Sequence, residues 1–300
     1  MTPREIIAAS WAITKKEKSL RRWGFISAFF ETLLNVKLLG YQGYFLYSYI
    51  SGKEVGLFDD VNWLYMHVSF PTFLTIVISF CILVATEFFL PHLCEGAIIG
   101  LAAKSHRGEP VRGGLVLALH NFLQLFAIHE IFVLSGWALV VSSISMTLRY
   151  VSGSVKYAAI FGIIAIFCIS NILKLFAGFA EQGVVLQKKS IGGGIAQSYK
   201  LLLSHLTQIM FILVLLFVIS LRILINALMI MLIPGLVIGL GLFLALFLNP
   251  LVSYLISGGI GIALILGASY FFAYLHVFKT TVWTLTYIQL IKHKELDVIM

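Results

Sequence analysis

The chain has 300 residues, of which 60% are apolar and only 11% charged, and its mean hydropathy is +1.00. A soluble domain of this size lacks the polar side chains to cover its surface at that composition, so that class is excluded. The net charge of +8 is expected to mark one face of a membrane and not a nucleic-acid site.

Residues 1–22 read as an amphipathic, basic N-terminal helix. Thr2 is placed to cap it and Pro3 suits its first turn. Ile6, Ile7, Trp11 and Ile13 form its apolar side. Lys15, Lys16, Lys18, Arg21 and Arg22 follow, and are the expected lipid-headgroup contacts at an interface. The basic cluster comes after the mildly apolar opening, so a cleavable signal peptide is not expected.

The remainder, 23–291, reads as an all-α polytopic transmembrane helix bundle forming a single membrane domain. A span needs about 20 apolar residues. Six are predicted, over 23–50, 69–103, 115–148, 155–186, 201–229 and 251–291, with a kink at Pro91 in the second. The longest polar stretches, 14–23 and 52–62, are too short for a separate core. Residues 230–248 are also apolar, but Pro234, Gly235, Gly239 and Gly241 punctuate them. They are expected to form a re-entrant or interfacial hairpin, with a seventh span as the alternative.

Charge sets the orientation. Lys104, Arg107, Arg112, Lys188, Lys189, Lys200, Lys292 and Lys294 fall on the same side as the basic N-terminus if the spans are six. The other side holds Lys53, Arg149, Lys156 and Arg222, partly balanced by Glu54, Asp59 and Asp60. Both termini are therefore expected to be cytoplasmic.

Two stretches resemble each other. Glu95, Lys104-Ser105, Gly108 and His120 have counterparts in Glu181, Lys189-Ser190, Gly193 and His205. Either the two hairpins are a parallel repeat, or two apolar hairpins coincide by chance.

A charge within a span costs about 3 kcal/mol at the centre, so each is a candidate. These intramembrane polar candidates are Glu31, Lys37, Glu87, Glu95, His129, Glu130, Lys174 and Glu181. Glu31 and Lys37 point to different faces of their helix. Glu87 and Glu95 share a face across Pro91, while His92 and Cys94 diverge by about 200° and make a poor chelating pair. Hydrogen bonding between helices near the kink is expected there. His129 and Glu130 suit a buried interhelical contact or a proton relay. Lys174, Glu181 and Lys188 form a stripe suited to ion pairing, and Lys279 is free to snorkel or to meet one of the acids. Cys81, Cys94 and Cys168 lie in apolar runs and suggest no disulfide. Gly192-Gly193-Gly194 reads as a turn before a helix.

No nucleophile, metal or phosphate-binding signature is present, so no catalytic site, metal site or cofactor is expected. For an intramembrane enzyme acting on lipid, His92, Glu95 and His120 are the first set to test, although spacing alone identifies no catalytic set. The best-supported function is a lipid- or partner-binding membrane subunit. A transporter or channel for a small solute or lipid, using the intramembrane Glu and Lys residues, is the alternative. The expected partners are membrane lipids and a protein of a membrane complex, and not nucleic acid.

Several stretches carry a family resemblance. Leu20-Arg21-Arg22-Trp23-Gly24-Phe25 enters the first span, and Glu95-Gly96-Ala97-Ile98-Ile99-Gly100-Leu101 precedes a basic turn. Val184-Val185-Leu186 precedes Gly194-Ile195-Ala196-Gln197-Ser198-Tyr199-Lys200, and the last span ends Val282-Trp283-Thr284-Leu285-Thr286-Tyr287-Ile288-Gln289-Leu290. The pattern resembles a group of poorly characterised bacterial six-span membrane proteins. It is also similar to the membrane domain of some glycerophosphoryl diester phosphodiesterases. The resemblance implies a place in the bacterial cytoplasmic (inner) membrane. It implies no phosphodiesterase activity and transfers no functional residue.

Overall fold

The computed structural model describes residues 1–52, 56 and 58–297; the side chains of 60, 138, 208, 215–231 and 293–297 lie outside that description. The charges of Lys53, Glu54, Asp60, Arg222 and Lys294, weighed above, therefore lie outside the described residues. The described chain is a helical bundle without strands. Four of its helical segments are long and apolar enough to cross a membrane: Phe70–His106, Gly114–Ile131, Val155–Gln187 and Pro250–Lys292.

The chain opens with α1, Pro3–Lys16, whose cap was legible in Thr2 and Pro3. The Thr2 hydroxyl accepts the Glu5 N–H (3.3 Å), and the Glu5 carboxylate accepts the Thr2 N–H (2.9 Å). The basic segment does not stay in this helix. Glu17 is extended (φ −86°, ψ 101°), and α2 runs Lys18–Ile50, so Lys18, Arg21 and Arg22 belong to α2. The apolar side of α1 is divided: Trp11 is 51% exposed, and Ile7 and Ile13 are half-buried. Ile6 is buried against Ile212, Phe278, Val282 and Leu285.

A short α3, Asp59–His67, precedes α4, Phe70–His106, which is uninterrupted through Pro91 over 37 residues, about 55 Å. The predicted third span is broken. It consists of α5, Gly114–Ile131, a 3₁₀ turn over Val133–Ser135, and α6, Trp137–Tyr150. The fourth breaks between α7, Val155–Phe176, and α8, Ala180–Gln187. Buried Ser198 secures that break. Its hydroxyl accepts the Phe179 N–H (2.9 Å) and donates to the Phe176 carbonyl (2.7 Å), satisfying backbone groups that the interruption frees.

Ser198 sits in α9, Ile191–Ser204, and the chain breaks again at His205 before α10, Leu206–Ala245. The predicted fifth span thus does not begin at Leu201. No hairpin forms at 230–248 either: α10 carries straight through Pro234 to Ala245, 40 residues in one helix. A single proline removes one ladder hydrogen bond, and this stretch has no polar turn residue to reverse the chain. The last helix, α11, runs Pro250–Asp297.

The proposed repeat is matched only loosely. Both stretches are helix–turn–helix, but Gly108 is a left-handed turn residue (φ +74°), whereas Gly193 lies inside the first turn of α9. His120 is mid-helix in α5, whereas His205 interrupts α9 and α10.

Packing is uneven along the helix axes. In α4, large residues such as Phe70, Leu74, Ile78 and Ile82 are exposed, while Cys94 and residues 97–103 are buried. In α11, Leu251, Leu255, Ile262 and Phe271 are exposed, while Val277, Val282, Leu285 and Leu290 are buried. No residue of α7 is buried, but Ala177, Phe179, Ala180 and Val184 just beyond it are. One half of the bundle is therefore a packed core, and the other presents apolar faces of a kind stable against hydrocarbon.

Gly24 and Gly194 are among the glycines that allow close approaches in the packed half. A Cβ on Gly24 of α2 would collide with Val277 and lie 3.2 Å from the Ala273 carbonyl oxygen of α11. One on Gly194 would lie 3.0 Å from the Ala180 carbonyl oxygen. Ser198→Ala would leave two buried backbone groups at the α7–α8 break without their partner. The expected result is a loss of about 1–3 kcal/mol, read as a lower thermal midpoint in detergent. An unchanged midpoint would show that the break does not depend on this hydroxyl.

Candidate functional site

The packed half holds two groups of functional side chains. The first is a groove between α2 and α11. It has a volume of about 510 Å³ and is lined by Lys18, Arg21, Arg22, Phe25, Ile26, Tyr270, Ala273 and Tyr274. Three cations rim it, aromatic and aliphatic carbons form its wall, and no carboxylate lines it. Arg21 is held in place: its guanidinium donates to the Tyr274 hydroxyl (2.6 Å) and lies 5.6 Å from that ring's centre. The Tyr270 and Tyr274 hydroxyls lie 3.4 Å apart. The structure thus brings together three of the five expected headgroup residues. Lys15 and Lys16 are exposed on the last turn of α1 and do not line the groove.

The second group lies where exposed helix halves give way to the core. Glu95 of α4 is fixed at both oxygens, accepting from Thr280 (3.0 Å) and pairing with His276 (2.8 Å), both on α11. Around this pair, Glu181 of α8 lies within electrostatic range of Glu95, Lys174, His276 and Lys279. Lys174 of α7 is within range of Glu31 of α2 as well as Glu95, Glu181 and Lys279. His129 faces His92, with ring centres 4.1 Å apart, and both feel Glu95 and Lys174. Five helices and α8 thus contribute ionisable groups to one cluster. Lys174 and Lys279 are exposed, and Glu95 and His276 remain partly accessible, at 17% and 28% of the side chain.

Among the predicted candidates, Glu31, Glu95, His129, Lys174 and Glu181 converge there. Lys37 and Glu87 do not. They form their own ion pair between α2 and α4, with Glu87 fully buried and the Lys37 ammonium 5.4 Å from the Phe80 ring centre. Glu130 stands apart at the end of α5, its Oε1 buried without a hydrogen bond among the described residues. His120 is exposed on α5. No group of three or more His, Cys, Asp or Glu side chains among the described residues is placed to hold a metal ion.

Sequence reasoning did not single out Tyr270, Tyr274, His276 or Thr280. The tyrosines are four apart, which places both on one helix face. His276, three residues before Lys279 in an apolar span, was the available signal for the Glu95 partner.

No family model, no curated protein and no solved structure matches the chain. Its function must be argued from these two sites.

The Lys37–Glu87 pair yields a direct test. Lys37→Met strands a fully buried carboxylate and is expected to cost about 3 kcal/mol. Glu87→Met leaves an ammonium that is 24% exposed and able to snorkel, so it should cost less. The double Met variant should lie closer to wild type than the sum of the single changes. Additive effects in a thermal-melt double-mutant cycle would contradict the pairing.

Proposed function

We propose that the protein is a multi-pass protein of the bacterial cytoplasmic membrane that binds an anionic phospholipid in the groove between α2 and α11. On this reading it crosses the bilayer six times, with α2 and α10 adding to the four long apolar segments and with both termini cytoplasmic. The hydrogen bond from the Ser105 hydroxyl to the Glu17 carboxylate (3.1 Å) supports a shared end for the N-terminal basic residues and the Lys104–Arg112 turn. The resemblance to bacterial six-span proteins is consistent with this location.

One observation carries the lipid reading: three cations and two tyrosines bordering an apolar wall, with no carboxylate among the lining residues. A phosphate would sit among Lys18, Arg21 and Arg22, the tyrosine hydroxyls would meet ester or glycerol oxygens, and acyl carbon would lie along Phe25, Ile26 and Ala273. Each basic residue near an anionic membrane surface contributes about 1 kcal/mol, and a preformed Arg21–Tyr274 contact reduces the ordering cost.

A second reading, movement of a small solute, is favoured by one specific feature. The helices bearing His129, Lys174 and Glu181 are interrupted beside those residues, at 132–136 and 177–179. Broken helices flanked by charge are how many transporters build their binding sites.

Native mass spectrometry of the protein released from nanodiscs tests the lipid reading. Wild type should retain phosphatidylglycerol in preference to phosphatidylcholine. A Lys18→Gln, Arg21→Gln, Arg22→Gln triple variant should lose that preference by about tenfold or more. Equal retention of both lipids by wild type, or an unchanged preference in the variant, would refute it.

A further inference from the structure

The far end of α2 carries a second set of cations and aromatic rings, away from the groove that Arg21 lines. Arg21 and Phe45 are 24 residues apart on this helix, about 36 Å, enough to reach from one side of a bilayer's hydrocarbon core to the other. At that end the Arg149 guanidinium of α6 lies 4.0 Å from the centre of the Phe45 ring and donates to the Tyr150 hydroxyl (2.7 Å). The Lys156 ammonium of α7 donates to the Tyr49 hydroxyl (3.3 Å). Phe45 and Tyr49 are four residues apart, so both cations sit against one face of α2, a helical turn from each other. Neither forms an ion pair with a carboxylate among the described residues.

A cavity of about 440 Å³ lies beside them, lined by Lys37, Gly40, Tyr41 and Tyr44. Phe45 joins it to Arg149: its ring centre is 6.3 Å from that of Tyr41 and 5.8 Å from that of Tyr44. A Cβ on Gly40 would meet nothing within 4 Å, so the wall has room there. Lys37, about 12 Å deeper than Phe45, has its charge met by Glu87. The cavity is thus bordered by cations and tyrosines at its outer end and is neutral at its inner end.

We propose that this end of α2 binds a second anionic phospholipid, in the leaflet opposite the α2–α11 groove. Arg149 and Lys156 take the phosphate, the Tyr41 and Tyr44 hydroxyls meet glycerol and ester oxygens, and the upper acyl carbons lie along Gly40 and the Lys37 stem. Two cations without a carboxylate partner select a headgroup that is negative overall. Cations that only anchored the helices at an interface would need no cavity beside them and would not tell one phospholipid from another. The inference rests on the reading of α2 as a membrane span, and not on lipid in the groove at its other end.

Photocrosslinking tests it. The full-length protein is placed in phosphatidylcholine nanodiscs that contain a small fraction of phosphatidylglycerol with a diazirine on its acyl chain next to the ester, and labelled peptides are mapped by mass spectrometry. Labelling is expected over 37–45, and a phosphatidylcholine carrying the same diazirine should label that stretch about tenfold less. Arg149→Gln combined with Lys156→Gln should reduce the labelling about tenfold or more, while labelling over 22–26 and 270–274 stays as in wild type. Gly40→Leu fills the cavity with a better helix former, so it should reduce labelling over 37–45 without lowering the thermal midpoint. The comparison of the two probes is made on the unmodified protein and decides the question even where a variant fails to fold. Equal labelling of 37–45 by both probes, or labelling that survives loss of both cations, would overturn the proposal. Labelling over 37–45 with none over 22–26 would refute the groove alone, and the reverse pattern would refute this site alone.

Discussion

Residues 273–290 of α11 are the surface against which the rest of the packed half is set. Val277 meets Gly24 of α2, Phe278 and Leu285 enclose Ile6 of α1, and His276 and Thr280 hold Glu95 of α4. Further along, the Tyr287 hydroxyl lies 3.1 Å from Oε1 of both Gln187 and Gln197, tying α8 and α9 to the same helix. Phe179 stacks edge-on against Trp283 at the α7–α8 break. Close packing of small and branched residues is one source of association for helices in lipid, where burial of apolar surface contributes little. This stretch of α11 makes contacts with five neighbours at once, α1, α2, α4, α8 and α9.

That constraint also explains why the two candidate sites lie near each other. Tyr270 and Tyr274 reach the groove, and His276 and Lys279 reach the charged cluster, all within three turns of one helix. A change in the tilt of α11 would alter both. Apart from the Lys37–Glu87 pair, Lys156, Lys174 and Tyr270, the exposed stretches of α4, α7 and α11 contribute no residue to the candidate sites.

Much of this was legible in the sequence, because composition and periodicity report on local structure. The all-helical class and the Thr2–Pro3 start of α1 follow from residues close to where they act, whereas the kink expected at Pro91 does not interrupt α4. The breaks were not legible. Phe132 and Ala177 continue the apolar run, Gly136 and Gly178 are single glycines of a kind that helices also tolerate, and the α7–α8 interruption is stabilised by Ser198, about twenty positions away. The punctuation at Pro234 and Gly235 suggested a hairpin, yet an apolar helix tolerates one proline more readily than it exposes the polar backbone of a turn. At the sites, residue types were informative but pairings were not. Glu95 and Lys174 stood out as charges in apolar spans. That Glu95 meets His276 while Glu87 meets Lys37 depends on which helices touch, and no spacing within one helix records that.

The central claim is that the helices are packed at one end and lipid-facing at the other, with the candidate sites at the changeover. Carbene footprinting from a diazirine probe dissolved in the bilayer, mapped by peptide mass spectrometry, tests it on the unmodified protein in nanodiscs. The account predicts heavy labelling over 70–89, 155–173 and 251–271, and protection over 96–103, 177–185 and 277–290. Even labelling along α4 and α11, or labelling of the 96–103 block, would contradict it.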